Sequence, residues 1–252
     1  MITLILVAGA MHSARSWRRV IPLLEARGVG AFAIDLPGLV PGSSTRPEEV
    51  TLAMWGDHVA GHIRGVDGPV ILVGHSRGGL VVGEVAERLP ERLAGLIHVC
   101  ALIVPPGRTA LEVMGPQVPG EDGPTPAADG KTIGISAEAA KRLFYNRCSE
   151  EDAADAVAHL LPEPAAPNAT PTTATAARWG RVPRAYVETA DDNNLDLAKQ
   201  RSIKAAAPCD PVVTLDADHS PFLSAAPELA EALFQIAAGF VREAEELNSS
   251  ES

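Results

Sequence analysis

The apolar residues of this chain fall into short runs that alternate with longer segments in which they recur every three or four positions. Nearly continuous apolar runs are typical of strands buried on both faces of a parallel sheet, and the longer spacing is typical of helices. We predict strands at residues 2–7, 30–34, 70–73, 96–104, 185–187 and 212–215. We predict helices at residues 17–27, 48–64, 80–89, 195–206 and 227–246. The alternation indicates an α/β fold, a doubly wound and mostly parallel six-stranded sheet.

One long segment interrupts this alternation. Ten of the 21 prolines lie between Pro105 and Pro171, and residues 107–179 show no convincing strand pattern. Helices are predicted inside it at residues 137–145 and 149–161, the second capped by Ser149 and followed by three acidic residues. Long insertions in compact sheet domains are usually functional, so we predict a cap or lid, and a disordered linker is the alternative. The predicted domains are a core of residues 1–107 and 181–252 and a cap insertion of residues 108–180.

Composition and charge exclude several classes of protein. The 252 residues carry 32 acidic and 21 basic side chains, a formal net charge of −11, and 46% of them are hydrophobic. That content supports a large core, and the negative charge argues against binding to nucleic acid or to an anionic membrane. The apolar first ten residues follow no basic residue and are too short for a membrane helix, so they are interpreted as a strand rather than a signal peptide.

Cysteine usage points to a reducing compartment. The three cysteines are far apart in the sequence and form no C-x-x-C pair, which argues against a disulfide framework and a zinc ribbon. We therefore expect a soluble, cytoplasmic protein.

The strongest chemical signal is the segment from Gly74 to Gly78, Gly-His-Ser-Arg-Gly, which lies between a predicted strand and a predicted helix. The bare G-x-S-x-G pattern is only moderately specific, but a strand before it and a helix after it are typical of a nucleophile elbow. In that sharp turn, side chains at the two glycines would collide with neighbouring elements. We predict that Ser76 is a nucleophile at a helix N-terminus, and an ordinary helix cap is the alternative.

A serine hydroxyl needs a base that a third group orients. His219 follows the last predicted strand, which places its imidazole at the same sheet edge as Ser76. His58 and His62 lie four residues apart on a predicted helix, but no third metal ligand is evident beside them. We predict that His219 is the base, and we expect neither a metal nor a cofactor.

The acid is expected after the preceding strand, where Asp191 and Asp192 are adjacent. Their side chains point in different directions, so only one can hold the imidazole, and the pattern alone gives little preference. Asp216 and Asp218 are closer in sequence to His219, and we expect them to brace its loop instead.

Two backbone amides should form an oxyanion hole. One is that of Arg77, the residue after the nucleophile, and the other comes from the loop after the first strand, residues 9–12. We favour the Ala10 amide and keep Met11 as the alternative. The side chain of Arg77 is expected to be solvated.

With these residues the chain resembles the α/β-hydrolase superfamily, and within it the branch of plant methylesterases and hydroxynitrile lyases. The resemblance covers nearly the whole chain and is weakest in residues 107–144. It implies that Asp192, through the segment 186–192, is the acid of the triad, and it allows a homodimer. The segments that carry it include LVAGAMH (6–12), AIDLPG (33–38), LFYNRCSEED (143–152) and ADHSPFLS (217–224).

Two departures favour the esterase subset of that branch. Its lyases have a lysine after the catalytic histidine and a threonine in the first loop, where this chain has Ser220 and Gly9. The expected activity is therefore serine-dependent hydrolysis of small carboxylic esters through an acyl-enzyme. A lyase reaction on the same residues and a non-catalytic small-molecule receptor are the alternatives. A small apolar or aromatic acyl group is suggested by the apolar residues of the cap, Leu111, Val113, Met114, Phe144 and Leu160.

Overall fold

A computed structural model describes residues 1–115, 123–128 and 130–250 of the chain. Part of the predicted cap, residues 116–122 and 129, and the end of the predicted core, residues 251–252, lie outside the described residues. The strands are β1 (Thr3–Val7), β2 (Gly30–Ile34), β3 (Val70–His75), β4 (Leu93–Val99), β5 (Thr125–Pro126), β6 (Thr132–Gly134), β7 (Glu163–Pro164), β8 (Arg184–Thr189) and β9 (Val212–Leu215). The helices are α1 (Val20–Glu25), α2 (Leu52–Ile63), α3 (Gly78–Arg88), α4 (Ala110–Met114), α5 (Ala137–Phe144), α6 (Glu150–Ala158), α7 (Ala166–Ala169), α8 (Leu197–Ala205), α9 (Pro221–Ser224) and α10 (Ala226–Ser250).

The large sheet has six parallel strands in the order β2-β1-β3-β4-β8-β9. Every residue of β3 is buried, as expected for a central strand that helices cover on both faces. The predicted fold class is therefore confirmed. Because all six strands run the same way, their carboxyl ends lie along one edge, and the loops that carry the candidate reacting groups begin there.

Two apolar clusters cover the two faces of the sheet. One contains Trp17 together with residues of α10 such as Leu233, and the other contains Trp55 of α2 together with residues of α3 such as Val81. This arrangement explains why the strands are apolar at nearly every position while a helix such as α2 is apolar on one side only. No helix among the described residues is long and apolar enough to cross a membrane.

Two predicted elements of the core differ in the structure. The strand predicted at residues 96–104 ends at Val99, because Cys100 has a φ of 34° and turns the chain out of the sheet. The helix predicted at residues 17–27 is a 3₁₀ segment, Ala14–Arg19, followed by the short α1.

The segment of residues 108–180 is called the cap segment below, and its described part contains three strands that the sequence did not predict. β5, β6 and β7 form a small antiparallel sheet. The prediction of no strand in this region was therefore wrong. The strands were missed because each has only two or three residues and two of them contain proline. The two helices predicted there are confirmed as α5 and α6, whereas α4 and α7 were not predicted. The Ser149 side chain accepts a hydrogen bond from the amide of Asp152.

Candidate active site

Ser76 occupies a strained turn between β3 and α3. Its φ is 50°, in the left-handed region that a residue with a side chain rarely adopts. A Cβ atom on Gly74 would lie 2.8 Å from the backbone of Gly78, and one on Gly78 would lie 2.5 Å from the carbonyl oxygen of Val7. Both glycines are therefore required by close backbone contacts, and the turn presents the Ser76 hydroxyl at the amino end of α3.

His219 connects the Ser76 hydroxyl to a carboxylate. Its Nε2 lies 3.0 Å from Ser76 Oγ, and its Nδ1 lies 2.7 Å from Asp192 Oδ2. His219 and Asp192 are buried, whereas Asp191 is exposed and its carbonyl oxygen accepts a hydrogen bond from the Asn146 side chain. The structure thus brings together Ser76, His219 and Asp192 and leaves Asp191 outside this chain of contacts.

The Asp192 carboxylate is fixed by neighbours in its own loop. Its Oδ1 accepts hydrogen bonds from the amides of Asn194 at 2.8 Å and Leu195 at 2.7 Å, and its Oδ2 accepts one from the Thr189 hydroxyl at 3.1 Å. Hydrogen bonds from several donors hold a carboxylate in one position. Asp192 therefore has one oxygen directed at the His219 ring.

The two other carboxylates near His219 brace its loop, as the sequence predicts. Asp218 accepts hydrogen bonds from the Ser220 amide at 2.9 Å and from the Ser224 hydroxyl at 2.6 Å. Asp216 is exposed and forms an ion pair with Arg147. Neither carboxylate takes the place of Asp192 at the imidazole.

Asn194 is a site residue that sequence reasoning missed. Its side-chain Nδ2 lies 3.1 Å from His219 Nε2, the same nitrogen that faces Ser76. It stands two residues after Asp192 in a polar loop, and no motif distinguishes it from its neighbour Asn193.

The loop of residues 9–12 lies against the turn that carries Ser76. A Cβ atom on Gly9 would come within 2.9 Å of the Ser76 Cβ, so only glycine allows this approach. The Met11 amide donates to Glu163 Oε2 at 3.0 Å, and the Ala10 carbonyl oxygen accepts from the His12 ring at 2.6 Å. No hydrogen bond from the Ala10 amide to another described residue is found.

Arg77 departs from the prediction of a solvated side chain. Only 3% of its side chain is exposed, its Nε lies 2.8 Å from Glu163 Oε1, and its Nη2 donates to the Gly9 carbonyl oxygen at 3.0 Å. Its guanidinium also stacks on the Trp55 ring at 4.5 Å. The guanidinium can be buried because Glu163, which is 1% exposed, supplies the opposite charge. The partner is 86 residues away in β7 and has no sequence pattern of its own.

The two histidines nearest His219 are uncharged at neutral pH. Burial lowers the pKa of His12 to about 4, and burial together with the nearby His219 lowers the pKa of His75 well below its usual range. His12 Nε2 accepts a hydrogen bond from the Tyr145 hydroxyl at 2.8 Å, and His75 Nε2 donates to the His219 carbonyl oxygen at 2.7 Å. These neutral rings hold the loops in place through hydrogen bonds.

A metal site at this edge has poor ligands. Among the described residues, ligand atoms of His75, Cys100 and His219 lie within 4.8 Å of one another. Burial raises the pKa of the Cys100 thiol well above its usual range, so the sulfur keeps its proton, and a thiolate is the form that binds metals. Both nitrogens of His219 already face Asp192 and Ser76. The donor set suits proton transfer rather than metal binding.

With this geometry in place, comparisons with known proteins define the class. Residues 4–232 match the alpha/beta hydrolase family, and the chain belongs to that family. It is 31% identical over 244 residues to the pyrethroid hydrolase of Sphingobium wenxiniae, covering 93% of this chain and 87% of that protein. It is 27% identical over 247 residues to the putative chloroplastic methylesterase 14 of Arabidopsis thaliana, covering 92% of this chain and 71% of that protein.

Solved structures give the same picture. A pyrethroid hydrolase from Sphingobium faniae superimposes with a TM-score of 0.84 at 30% identity, covering 94% of this chain and 98% of that one. Polyneuridine aldehyde esterase superimposes equally well, with a TM-score of 0.84 over 94% of this chain and 99% of that one. At 23% identity, the second likeness shows the fold alone.

Proposed function

We propose that this protein is a carboxylic ester hydrolase that acts through an acyl-enzyme on Ser76. The contacts from Ser76 Oγ to His219 Nε2, at 3.0 Å, and from His219 Nδ1 to Asp192, at 2.7 Å, carry this proposal. Asp192 accepts a hydrogen bond from the Nδ1–H of His219, so the Nε2 lone pair faces the serine hydroxyl. His219 can then remove the hydroxyl proton while Oγ attacks the ester carbonyl carbon.

The charge that develops on the carbonyl oxygen requires two donors. Arg77 is the N-cap residue of α3, where backbone amides have no partner within the helix. The Ala10 amide is the better second donor because the Met11 amide, the alternative, already donates to Glu163. The proposed oxyanion hole therefore consists of the amides of Ala10 and Arg77.

The remaining steps return the enzyme to its starting state. As the tetrahedral intermediate breaks down, the bond to the alcohol oxygen is cleaved, and His219 gives that oxygen the proton it took from Ser76. Water then attacks the acyl carbon while His219 Nε2 removes its proton. The acid leaves, and Ser76 regains a hydrogen.

The substrates proposed are small esters. Relatives named as a pyrethroid hydrolase and as methylesterases support ester chemistry over the two alternatives. The Phe144 ring of the cap segment lies 5.6 Å from the His219 ring, centre to centre, which favours an apolar acyl or alcohol group beside the site. Ser220, at the position of the lyase lysine, is fully buried, so the lyase alternative gains no support.

Replacement of Ser76 tests the proposal. With p-nitrophenyl acetate and p-nitrophenyl butyrate as substrates, Ser76→Ala is expected to lower kcat/KM by at least about 10⁴-fold, because only binding and the oxyanion hole remain. Ser202→Ala, at an exposed position on α8, is the control and should match the wild type. Full turnover by Ser76→Ala on esters that the wild type hydrolyses would contradict the proposed mechanism.

A further inference from the structure

The Arg77 side chain holds the peptide bond between Gly9 and Ala10 through a hydrogen bond to its carbonyl oxygen. Arg77 Nη2 donates to the Gly9 carbonyl oxygen at 3.0 Å. In a trans peptide the carbonyl and the N–H point in opposite directions. A donor fixed on the Gly9 oxygen therefore fixes the direction of the Ala10 N–H, and a hydrogen bond to the carbonyl polarises the same amide.

The next two peptide bonds of the loop, Ala10–Met11 and Met11–His12, are held by the cap segment. Glu163 Oε2 accepts the Met11 amide at 3.0 Å, and the Leu161 amide donates to the Met11 carbonyl oxygen at 2.9 Å. Met11 has a φ of 64°, so this loop adopts a conformation that its own sequence does not favour. The contacts from Leu161 and Glu163 offset that cost and keep the Met11 amide away from Ser76.

Stability alone does not account for the pair of Arg77 and Glu163. A buried ion pair loses most of its Coulomb energy to desolvation, and apolar residues of similar volume are often as stable. The charged pair also orients two peptide groups of the loop. Glu163 Oε2 accepts a hydrogen bond from the Met11 amide, and Arg77 Nη2 donates one to the Gly9 carbonyl oxygen. Both atoms act on the loop that supplies one donor of the proposed hole.

We propose that Arg77 and Glu163 are positioning residues of the oxyanion hole: together they turn the Ala10 amide toward the substrate oxygen and the Met11 amide away from it. This rests on the proposed function. Arg77 then serves both donors, one through its own backbone amide and the other through its side chain. Because Glu163 belongs to β7, the hole is complete only when the cap segment is seated on the loop.

Two double variants separate the loss of the hydrogen bonds that orient the loop from the effect of leaving a charge buried without a partner. Arg77→Met with Glu163→Gln leaves no buried charge and keeps an acceptor for the Met11 amide. It lacks the side-chain donor to the Gly9 carbonyl oxygen, which then accepts only from the His12 amide at 3.3 Å. Arg77→Met with Glu163→Met lacks both contacts. Since loss of a whole hole donor costs about 10²–10³-fold in kcat, we expect losses of about 10-fold and about 100-fold respectively, with KM within about threefold of the wild type.

A second readout reports on the hole itself. A trifluoromethyl ketone forms a charged tetrahedral adduct with a serine enzyme, so its affinity follows the stabilisation of the oxyanion. Its inhibition constant should rise in parallel with the loss of kcat in both double variants, whereas a purely structural role would raise KM and lower the melting temperature without that parallel.

Glu84 provides the matched control. It is a fully buried carboxylate on α3 that also holds the cap segment, through the Thr172 hydroxyl at 2.6 Å and the Thr173 amide at 2.6 Å, but it does not touch residues 9–12. Glu84→Gln should lower the melting temperature and leave kcat and the ketone affinity within about threefold of the wild type.

The outcomes separate the two proposals. If Ser76→Ala abolishes turnover but both double variants keep wild-type kcat and ketone affinity, the positioning role is contradicted and the ester hydrolase proposal stands. If Ser76→Ala keeps full turnover, the proposed function itself fails. A loss of kcat and of ketone affinity in Glu84→Gln equal to that in the double variants would show that general loosening of the cap segment causes both losses. That result would overturn the positioning role.

Discussion

The sheet and the cap segment are held at the candidate site by different kinds of contact. β3, which ends just before Ser76, is buried at every residue and packs through apolar side chains. The cap segment also packs on the core through apolar side chains such as Phe144 and Trp179, but it adds buried ionisable groups: Glu163 binds Arg77, and Thr172 binds Glu84. The strand that ends before Ser76 is therefore held by packing that needs no charge, whereas the oxyanion loop depends on an ion pair.

The charged contacts of the cap segment also differ among themselves. The pair of Arg77 and Glu163 is almost completely buried, whereas Arg15 and Asp155 are 43% and 35% exposed. Solvent screens the exposed pair, so it contributes little, but removal of one buried partner leaves an uncompensated charge. We therefore expect the burial of each ion pair, rather than the number of ion pairs, to determine how much the contacts of the cap segment contribute to the free energy of unfolding.

The largest effect is expected on the sheet side of this comparison. Asp192→Asn keeps the shape of the side chain but no longer favours the tautomer in which His219 Nε2 faces Ser76. We expect kcat/KM for p-nitrophenyl acetate to fall about 10⁴-fold. A loss of less than tenfold, with the fold intact by circular dichroism, would remove Asp192 from the mechanism. Asp191→Asn, at the exposed neighbour, is the matched control.

The buried cap contact should show a large effect on stability. Arg77→Met leaves Glu163 buried without its partner, and we expect a loss of about 3–5 kcal/mol in the free energy of unfolding. The double variant with Glu163→Met should recover most of it, since no charge remains buried. Chemical denaturation followed by circular dichroism measures both. Equal stability of the wild type and Arg77→Met would show that the pair is not tightly coupled.

Acid should weaken the sheet through its buried histidines. Burial lowers the pKa of His98 to about 3, so as the pH falls below about 6.5 the unfolded chain binds a proton that the folded chain excludes. Stability is thus full above pH 6.5 and declines toward pH 4, by about 3 kcal/mol for this residue. In His98→Phe, which keeps a ring beside Tyr186, the melting temperature should fall less over this range. An identical pH dependence in both proteins would contradict the assignment.

The smallest effect is expected at the exposed cap contacts. Asp155 pairs with Arg15 and Arg18. Asp155→Asn should cost no more than about 1 kcal/mol, and the difference from the wild type should shrink further at high salt because exposed charges are screened. Thermal denaturation at low and high salt measures it. A loss as large as that of Arg77→Met would break the distinction between buried and exposed contacts.

The same division between sheet and cap explains how much the sequence could predict. The six strands and the turn around Ser76 are specified by local patterns, because burial on both faces dictates apolar runs and close backbone contacts dictate Gly74 and Gly78. Asp191 and Asp192 could not be separated by pattern. The structure separates them because the loop after β8 turns one carboxylate into the core and the other into solvent.

The remaining site residues depend on contacts between distant parts of the chain. Nothing near Glu163 in sequence indicates that it faces Arg77, and a lone arginine after a nucleophile is most simply interpreted as solvated. Likewise, Asn194 differs from Asn193 only in the direction that the loop gives its side chain. The short strands of the cap segment pair with one another rather than with the large sheet. With two or three residues each, they are too short to show a periodic pattern in the sequence.

The formation of an acyl group on Ser76 is the central claim, and it can be measured directly. The wild type is mixed with p-nitrophenyl trimethylacetate, whose acyl group leaves slowly, quenched in acid and digested with trypsin. We expect a burst of about one nitrophenolate per protein molecule and an added acyl mass on the peptide of residues 65–77, in which Ser76 is the only hydroxyl-bearing residue. Continued turnover of this ester with no acyl mass on that peptide would contradict it.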